Sequence, residues 1–130
     1  MPNLLNSCLK PSFKHKSKEG KKMPYVFTTS IFPPHTTNKL AKIYVDGLKD
    51  FRPKQKALAK EIIPNAIKAT NEGIEVIGVM DVKEGKLDEY LLLAQQYMTN
   101  YHEIEGFRYR IDVRFKVTEA LEMIGLKFPE

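Results

Sequence analysis

Histidines are the first residues to consider for chemistry near neutral pH, and the chain has three: His15, His35 and His102. His35 follows the Pro33-Pro34 step, and an imidazole in that loop could act as a general acid or base. A surface histidine without a catalytic role is the alternative reading. The spacing of the histidines does not match a metal site, and one cysteine, Cys8, cannot form an intrachain disulfide or hold an iron–sulfur cluster. The sequence therefore predicts no metal and no cofactor.

A second chemistry-bearing set lies in residues 107–116, where apolar and charged residues alternate. Alternation at period two is typical of a strand with one buried face, so the charged side chains share the other face. They are Arg108, Arg110, Asp112, Arg114 and Lys116. Arginines at the rim of a pocket between two subunits would bind a carboxylate or phosphate bidentately. The alternative is a charged edge strand that discourages aggregation, with its cations paired to carboxylates such as Glu75 and Asp81.

The first half of the chain predicts a strand followed by a helix. Residues 25–32 are β-branched and aromatic, contain Thr28 and Ser30, and end at two prolines. Thr36 or Thr37 is the expected N-cap of a helix whose apolar residues recur every three or four positions. Gly47 within that stripe predicts a close approach to the sheet, and Pro53 is expected to end the helix.

The second half predicts a hairpin, a long helix, the alternating strand and a short helix. Residues 62–70 and 74–82 flank a three-residue loop closed by Gly73, and Pro64 places the earlier strand at a sheet edge. The strongest helical pattern covers residues 84–101, with tyrosines at 90, 97 and 101 expected in the core rather than in a cofactor stack. Thr118 is the expected cap of a last helix ending at Ile124.

This order, βαββαβ with a terminal helix, predicts an α+β fold of the ferredoxin-like kind. In that arrangement, right-handed crossovers give a four-stranded antiparallel sheet with two helices on one face, plus the short C-terminal helix. The first and third strands are then central in the sheet.

Charge and composition divide the chain at residue 22. The 130 residues carry a net charge of +5, and six lysines with one glutamate in residues 1–22 account for all of it. We expect residues 1–22 to be a basic, disordered tail and residues 23–130 to be the folded domain. The tail is open to three interpretations: an arm touching nucleic acid or acidic lipid, a solvated extension, or a segment upstream of a natural start at Met23. No apolar run approaches the roughly 18 residues of a membrane helix, and the chain fits a reducing cytoplasm.

The sheet face away from the helices predicts a homodimer. The third strand is apolar on both faces through its middle, with Ile77 and Val79 on the face that the helices leave uncovered. An antiparallel sheet with one wet face should carry polar residues there. Packing that face against a second copy would shield both residues, because a two-fold interface is self-complementary.

With these elements placed, the chain resembles the dimeric α+β barrel superfamily over residues 23–125. The resemblance rests on the element order, the first strand from Met23 onwards and the GFRYRIDV strand after a long amphipathic helix. The chain is most similar to small uncharacterised prokaryotic members of that group, which also includes monooxygenases, isomerases and regulatory effector domains. The resemblance implies a face-to-face dimer and a cavity between sheet and helices, and it carries over no catalytic residue.

Two functional hypotheses follow. The first is a homodimeric module of otherwise unknown function that binds a small anionic or apolar ligand through His35, Thr28, Ser30, Arg108, Arg110 and Arg114. The alternative is a small monooxygenase- or isomerase-like enzyme in which His35, Thr28, Ser30 and Arg110 lie nearest the cavity mouth. A regulatory sensing module is a weaker third possibility. RNA binding is disfavoured because the third strand, residues 74–82, has no aromatic residue on which bases could stack.

Overall fold

A computed structural model describes residues 23–129, which form four strands and three helices. The strands are β1 (Tyr25–Phe32), β2 (Ala59–Thr70), β3 (Gly73–Val82) and β4 (Arg108–Arg114). The helices are α1 (Thr37–Leu58), α2 (Leu87–Met98) and α3 (Val117–Met123), and short 3-10 turns precede α1 and follow α2. The predicted basic tail, with Cys8 and His15, lies outside the described residues. In the described part, no helix is long and apolar enough to cross a membrane.

The four strands form one antiparallel sheet in the order β2-β3-β1-β4, so the fold is α+β. The central positions of β1 and β3 confirm the sequence prediction, as does the edge position of β2. Two register shifts interrupt the β2–β3 ladder, between Glu61 and Ile63 and between Ile63 and Ala66. Pro64 lies in the second shift, where its missing N–H breaks no regular ladder bond.

Side chains alternate between a face covered by α1 and α2, called here the helix face, and an opposite face, called here the second face. Val26 of β1 is fully buried on the helix face, where Met80, Tyr90 and Ala94 pack around it. A second apolar cluster lies toward the other end of the sheet and contains Met98, Tyr101 and Ile104. The helix face therefore has a packed region at each end.

Three sequence expectations about α1 and its surroundings are wrong. Helix α1 continues through Pro53 to Leu58, and β2 consequently begins at Ala59 rather than Ile62. Contacts beyond the proline hold this last turn: Gln55 Nε2 donates to Tyr90 Oη, and Leu58 packs against the first apolar cluster. Gly47 faces α2 rather than the sheet, since a Cβ there would lie 3.4 Å from Tyr97 Cε1.

Two local expectations in the second half also change. Thr70 pairs directly with Gly73, so the hairpin has two loop residues rather than three. Gly73 still has the positive φ of 137° that the pattern predicted. The N-cap of α3 is Lys116 and not Thr118, and the Glu119 carboxylate accepts a hydrogen bond from the Lys116 backbone N–H at the start of this helix.

Candidate functional site

A cavity of about 380 Å³ lies on the helix face, between the sheet, α1 and α2. Its floor is formed by the middle of β1 and β3, its roof by the apolar stripe of α1, and one wall by α2. The mouth lies toward β2, where the lining includes exposed residues such as Asn65 and Ile67. The site is thus a deep recess that opens beside the edge strand.

The cavity exists because the floor side chains are small and the roof is held away from them. Thr28, Ser30 and Gly78 lie between the two packed regions of the helix face. None of the 22 residues of α1 is fully buried, so this helix contributes an apolar surface without filling the space below it. The lining is predominantly apolar, as is usual for small-molecule sites.

Aromatic side chains form much of the wall. The Phe51 ring of α1 stacks on the Tyr97 ring of α2, with their centroids 4.1 Å apart. The series continues through Tyr101 to Phe107, with centroid separations of 5.6 Å and 5.0 Å. These contacts hold α1 to α2 while leaving the space over β1 open.

Polar groups enter the cavity lining in three hydrogen-bonded pairs. Tyr97 Oη and Tyr101 Oη lie 2.9 Å apart on α2 and the turn that follows it. Gln55 Nε2 donates to Tyr90 Oη at 3.3 Å. Asn65 Nδ2 donates to Tyr44 Oη at 3.2 Å and joins the edge strand to the roof.

The Asn65 contact depends on the irregular ladder of β2. The register shift between Ile63 and Ala66 brings Asn65 over the central strand, where its Oδ1 lies 3.0 Å from the position of a Cβ on Gly78. A side chain at position 78 would therefore press on Asn65. Glycine at position 78 leaves space above the cavity floor and allows the Asn65 side-chain amide to stay in its position.

Burial keeps the phenols protonated. The pKa of Tyr101 is raised far above its ordinary value, chiefly by desolvation and then by the hydrogen bond to Tyr97. Desolvation likewise raises the pKa of Tyr97 and of Tyr90. At neutral pH these hydroxyl groups therefore act as hydrogen-bond donors and acceptors rather than as bases.

One ion pair lies at the cavity rim, between Arg52 and Glu61. Their closest side-chain atoms, Nη2 and Oε1, are 3.7 Å apart, and both side chains are substantially exposed. An exposed pair of this kind contributes little to stability. It does offset the positive charge that Arg52 brings to the cavity.

The structure places the predicted ligand-binding residues in three separate places. Thr28 and Ser30 line the cavity together. His35 is exposed in the 3-10 turn before α1 and is not among the lining residues. Arg108, Arg110 and Arg114 pair with Ile31, Thr29 and Tyr25 of β1, which puts all three on the second face.

Arg110 and Arg114 of β4 have partners on their own face. Arg110 Nε lies 2.8 Å from Asp112 Oδ2, and the Arg114 guanidinium lies 4.9 Å from the centroid of the Phe27 ring. The expected pairing of the neighbouring carboxylates is found at Asp81, which lies 2.9 Å from Lys116 Nζ. The sheet thus separates the arginines from the cavity.

The second face is shielded in its middle within a single chain. Val79 is only 5% exposed and Ile77 is half-buried, although both lie away from α1 and α2. Val79 is flanked by its cross-strand partners Phe27 and Ile63. Ile63 is 41% exposed, so the shielding ends toward the β2 edge.

Sequence reasoning missed Tyr44, Gln55 and Asn65 as lining residues. Tyr44 belonged to the apolar stripe of α1, which did predict that its side chain faces inward. Gln55 follows the proline that was expected to end the helix, and Asn65 depends on a register shift that only the assembled sheet shows. Among residues 23–129, no three histidine, cysteine, aspartate or glutamate side chains converge as a metal site.

Comparisons of the chain with protein-family models, with curated proteins and with solved structures find no significant match. The geometry of the cavity is therefore the basis on which a function can be argued.

Proposed function

We propose that this protein is a binding module for a small, predominantly apolar molecule, held in the cavity between α1, α2 and the sheet. The observation that carries the proposal is the cavity itself, whose 380 Å³ volume falls within the range of small-molecule sites. The recess opens beside β2, so an apolar molecule that enters it removes apolar lining from water, which is favourable.

The lining favours an apolar ligand over an anionic one. Arg52 is the cationic side chain of the lining, and its charge is offset by Glu61. The arginines expected to bind an anion lie on the other side of the sheet. Moving an unpaired anion into an apolar cavity carries a large desolvation cost.

A matched pair of substitutions on β1 tests this proposal. Thr28 lines the cavity, whereas its neighbour Thr29 lies on the second face opposite Ile77. We expect the neutral dye N-phenylnaphthylamine to bind the native protein with increased fluorescence. Thr28→Phe should weaken that binding at least tenfold by filling the floor, whereas Thr29→Phe should leave it within about twofold, as an added benzyl group excludes the dye only where both compete for one space.

Circular dichroism would first establish that both variants are folded. Equal effects of the two substitutions, or dye binding that neither alters, would place the dye outside the cavity and contradict the proposal. A second cavity variant, Ser30→Leu, gives an independent reading if Thr28→Phe folds poorly.

We also propose that the domain has the ferredoxin-like arrangement and assembles as the face-to-face dimer of the α+β barrel superfamily. The sheet order β2-β3-β1-β4, the antiparallel pairing and the two helices on one face support the first part. Support for the dimer comes from the apolar side chains that stay partly accessible on the second face, among them Phe27, Ile77 and Ile63.

Light scattering on the full chain at high micromolar concentration tests the dimer. We expect twice the mass of one chain, and Ile63→Asp should reduce it to that of one chain, because the charge would be buried in the interface. Leu92→Asp, on the exposed surface of α2, is the control and should keep the dimer. A single-chain mass for the native protein would exclude the assembly.

The enzymatic alternative uses the same cavity. Thr28 and Ser30 line this cavity, which supports the alternative, whereas His35 and Arg110 are not among the lining residues. Binding is the preferred proposal because burial raises the pKa of Tyr97 and of Tyr101, so neither phenol acts as a base near neutral pH, and Glu61, the carboxylate of the lining, lies at the exposed rim next to Arg52.

A further inference from the structure

The hydroxyl groups of Tyr44, Tyr97 and Tyr101 form a cluster at the cavity wall. Tyr97 Oη and Tyr101 Oη are 2.9 Å apart, and Tyr97 Oη lies 4.0 Å from the Cβ position of Gly47, which is one turn along α1 from Tyr44. All three residues belong to the cavity lining. Three phenol hydrogens are thus gathered in one part of a mainly apolar recess.

The three phenol hydrogens outnumber the hydrogen-bond acceptors that the described residues provide for them. Each phenol has one O–H to donate and an oxygen that accepts. The Tyr97–Tyr101 bond uses one of the three hydrogens, and Asn65 donates to Tyr44, which uses an acceptor site on Tyr44 and leaves its hydrogen unused. Among residues 23–129, then, two of the three phenol hydrogens have no hydrogen-bond acceptor in the protein.

Building on the proposed binding function, we infer that the cavity selects neutral apolar molecules that carry a hydrogen-bond-accepting oxygen, such as a ketone or ester carbonyl, and that Tyr44, Tyr97 and Tyr101 donate to that oxygen. A carbonyl oxygen has two lone pairs and can accept both unused hydrogens. The apolar remainder of the molecule would occupy the space above Thr28, Ser30 and Gly78.

The carbonyl must belong to a neutral molecule. A carboxylate would also accept the phenol hydrogens, but its charge would have to be desolvated in a cavity whose cationic side chain, Arg52, is already beside Glu61. A hydrocarbon of the same size would fill the cavity and leave the hydroxyl groups without an acceptor. Buried donors left unpaired are costly, so the neutral carbonyl compound should bind most tightly.

Three naphthalene derivatives with the same ring position substituted provide the test: acetylnaphthalene, ethylnaphthalene and naphthoate. Each would displace N-phenylnaphthylamine from the full chain in a fluorescence titration. We expect acetylnaphthalene to bind about tenfold more tightly than ethylnaphthalene, as two added hydrogen bonds of modest net strength would give. Naphthoate should bind more weakly than acetylnaphthalene.

Phenylalanine substitutions test which hydroxyl groups are responsible. Tyr97→Phe alone should largely retain the preference for the ketone, because the Tyr101 hydrogen is then free for the ligand whichever of the two hydroxyl groups was the donor. The double variant Tyr97→Phe, Tyr101→Phe should reduce the preference at least threefold, because the ketone loses a hydrogen-bond donor and the hydrocarbon no longer leaves that donor unpaired. Tyr109→Phe is the control: the Tyr109 hydroxyl accepts a hydrogen bond from Gln95 outside the cavity, and its removal should change nothing.

The possible failures are distinguishable. Equal binding of ketone and hydrocarbon by the native protein would overturn the inference while upholding an apolar binding cavity. Naphthoate binding as tightly as the ketone would overturn the requirement for neutrality, and a double variant with unchanged preference would overturn the assignment to these tyrosines. No binding of any derivative or of the dye would remove the binding function and this inference together.

Discussion

The two faces of the sheet differ in how the side chains at their centres are covered. On the helix face, two helices cover the strands, yet the space above Thr28, Ser30 and Gly78 is left open. The second face lies away from α1 and α2, yet Val79 on this face is 5% exposed. Coverage by a helix and burial of a side chain are therefore separate properties in this protein.

The difference comes from side-chain size. Small residues at the centre of the helix face cannot reach α1, which is held off by aromatic contacts such as that between Phe51 and Tyr97. On the second face, large residues fill the space around one another, and cations lie over the rings at its edge. Arg114 lies over Phe27 and Lys116 over Tyr25. The helix face therefore leaves space for a small molecule, whereas the side chains of the second face bury the centre of that face.

The largest effect is expected from a charge at Val79. Because this side chain is already buried in a single chain, Val79→Asp should lower the free energy of unfolding by more than about 3 kcal/mol. Val45→Asp is the control, since Val45 is 62% exposed on α1 and lies away from the second face. Its cost should stay below about 1 kcal/mol, and urea denaturation followed by circular dichroism measures both.

Other outcomes of these stability measurements would change the description of the second face. If the loss at Val79 depended on protein concentration, the proposed second copy would contribute to the burial of this side chain in addition to its neighbours in the same chain. If neither lost stability, the second face would be as open as the helix face.

The sequence predicted those parts of the fold that depend on local pattern. The bounds of β1, Tyr25–Phe32, follow from its β-branched and aromatic residues and from the prolines that end it. Alternation in β4 correctly placed Arg108, Arg110 and Arg114 on one face. Positive φ at Gly73 and the edge position of β2 also followed from single residues.

The cavity could not be predicted in the same way, because it depends on how distant segments meet. Pro53 lowers helix propensity locally, but the contact of Gln55 with Tyr90 and the packing of Leu58 carry α1 past it. Asn65 reaches Tyr44 only because the β2 ladder shifts register beside it. Neither event leaves a periodic signal in the sequence.

An effect of intermediate size is expected at alkaline pH, and it arises on the helix face. The pKa values of Tyr90 and Tyr101 are raised in the folded protein, so their contribution to stability is complete below the ordinary tyrosine pKa of 10.0. As the pH rises above that value, the unfolded chain ionises first and stability is lost, by about 1.4 kcal/mol per pH unit for each such residue.

Urea denaturation in steps between neutral and strongly alkaline pH would measure this loss. Tyr101→Phe should make the decline shallower, because the substituted residue no longer ionises in the unfolded chain. An equally steep decline in the variant would mean that the Tyr101 hydroxyl is open to water in the folded protein, and the helix face would then be less closed at the wall of the cavity than the structure indicates.

The smallest effect is expected from substitutions at two adjacent residues of β1 whose side chains lie on opposite faces of the sheet. Thr28→Val replaces a hydroxyl on the cavity floor with a methyl group of similar size, so the affinity for N-phenylnaphthylamine should rise about threefold as the floor becomes more apolar. Thr29→Val makes the same exchange on the second face and should leave the affinity unchanged. Dye titration at equal protein concentration measures both. A similar gain in the two variants would mean that the dye responds to general stability rather than to the floor of the cavity, whereas a gain at Thr29 alone would move the binding site to the second face.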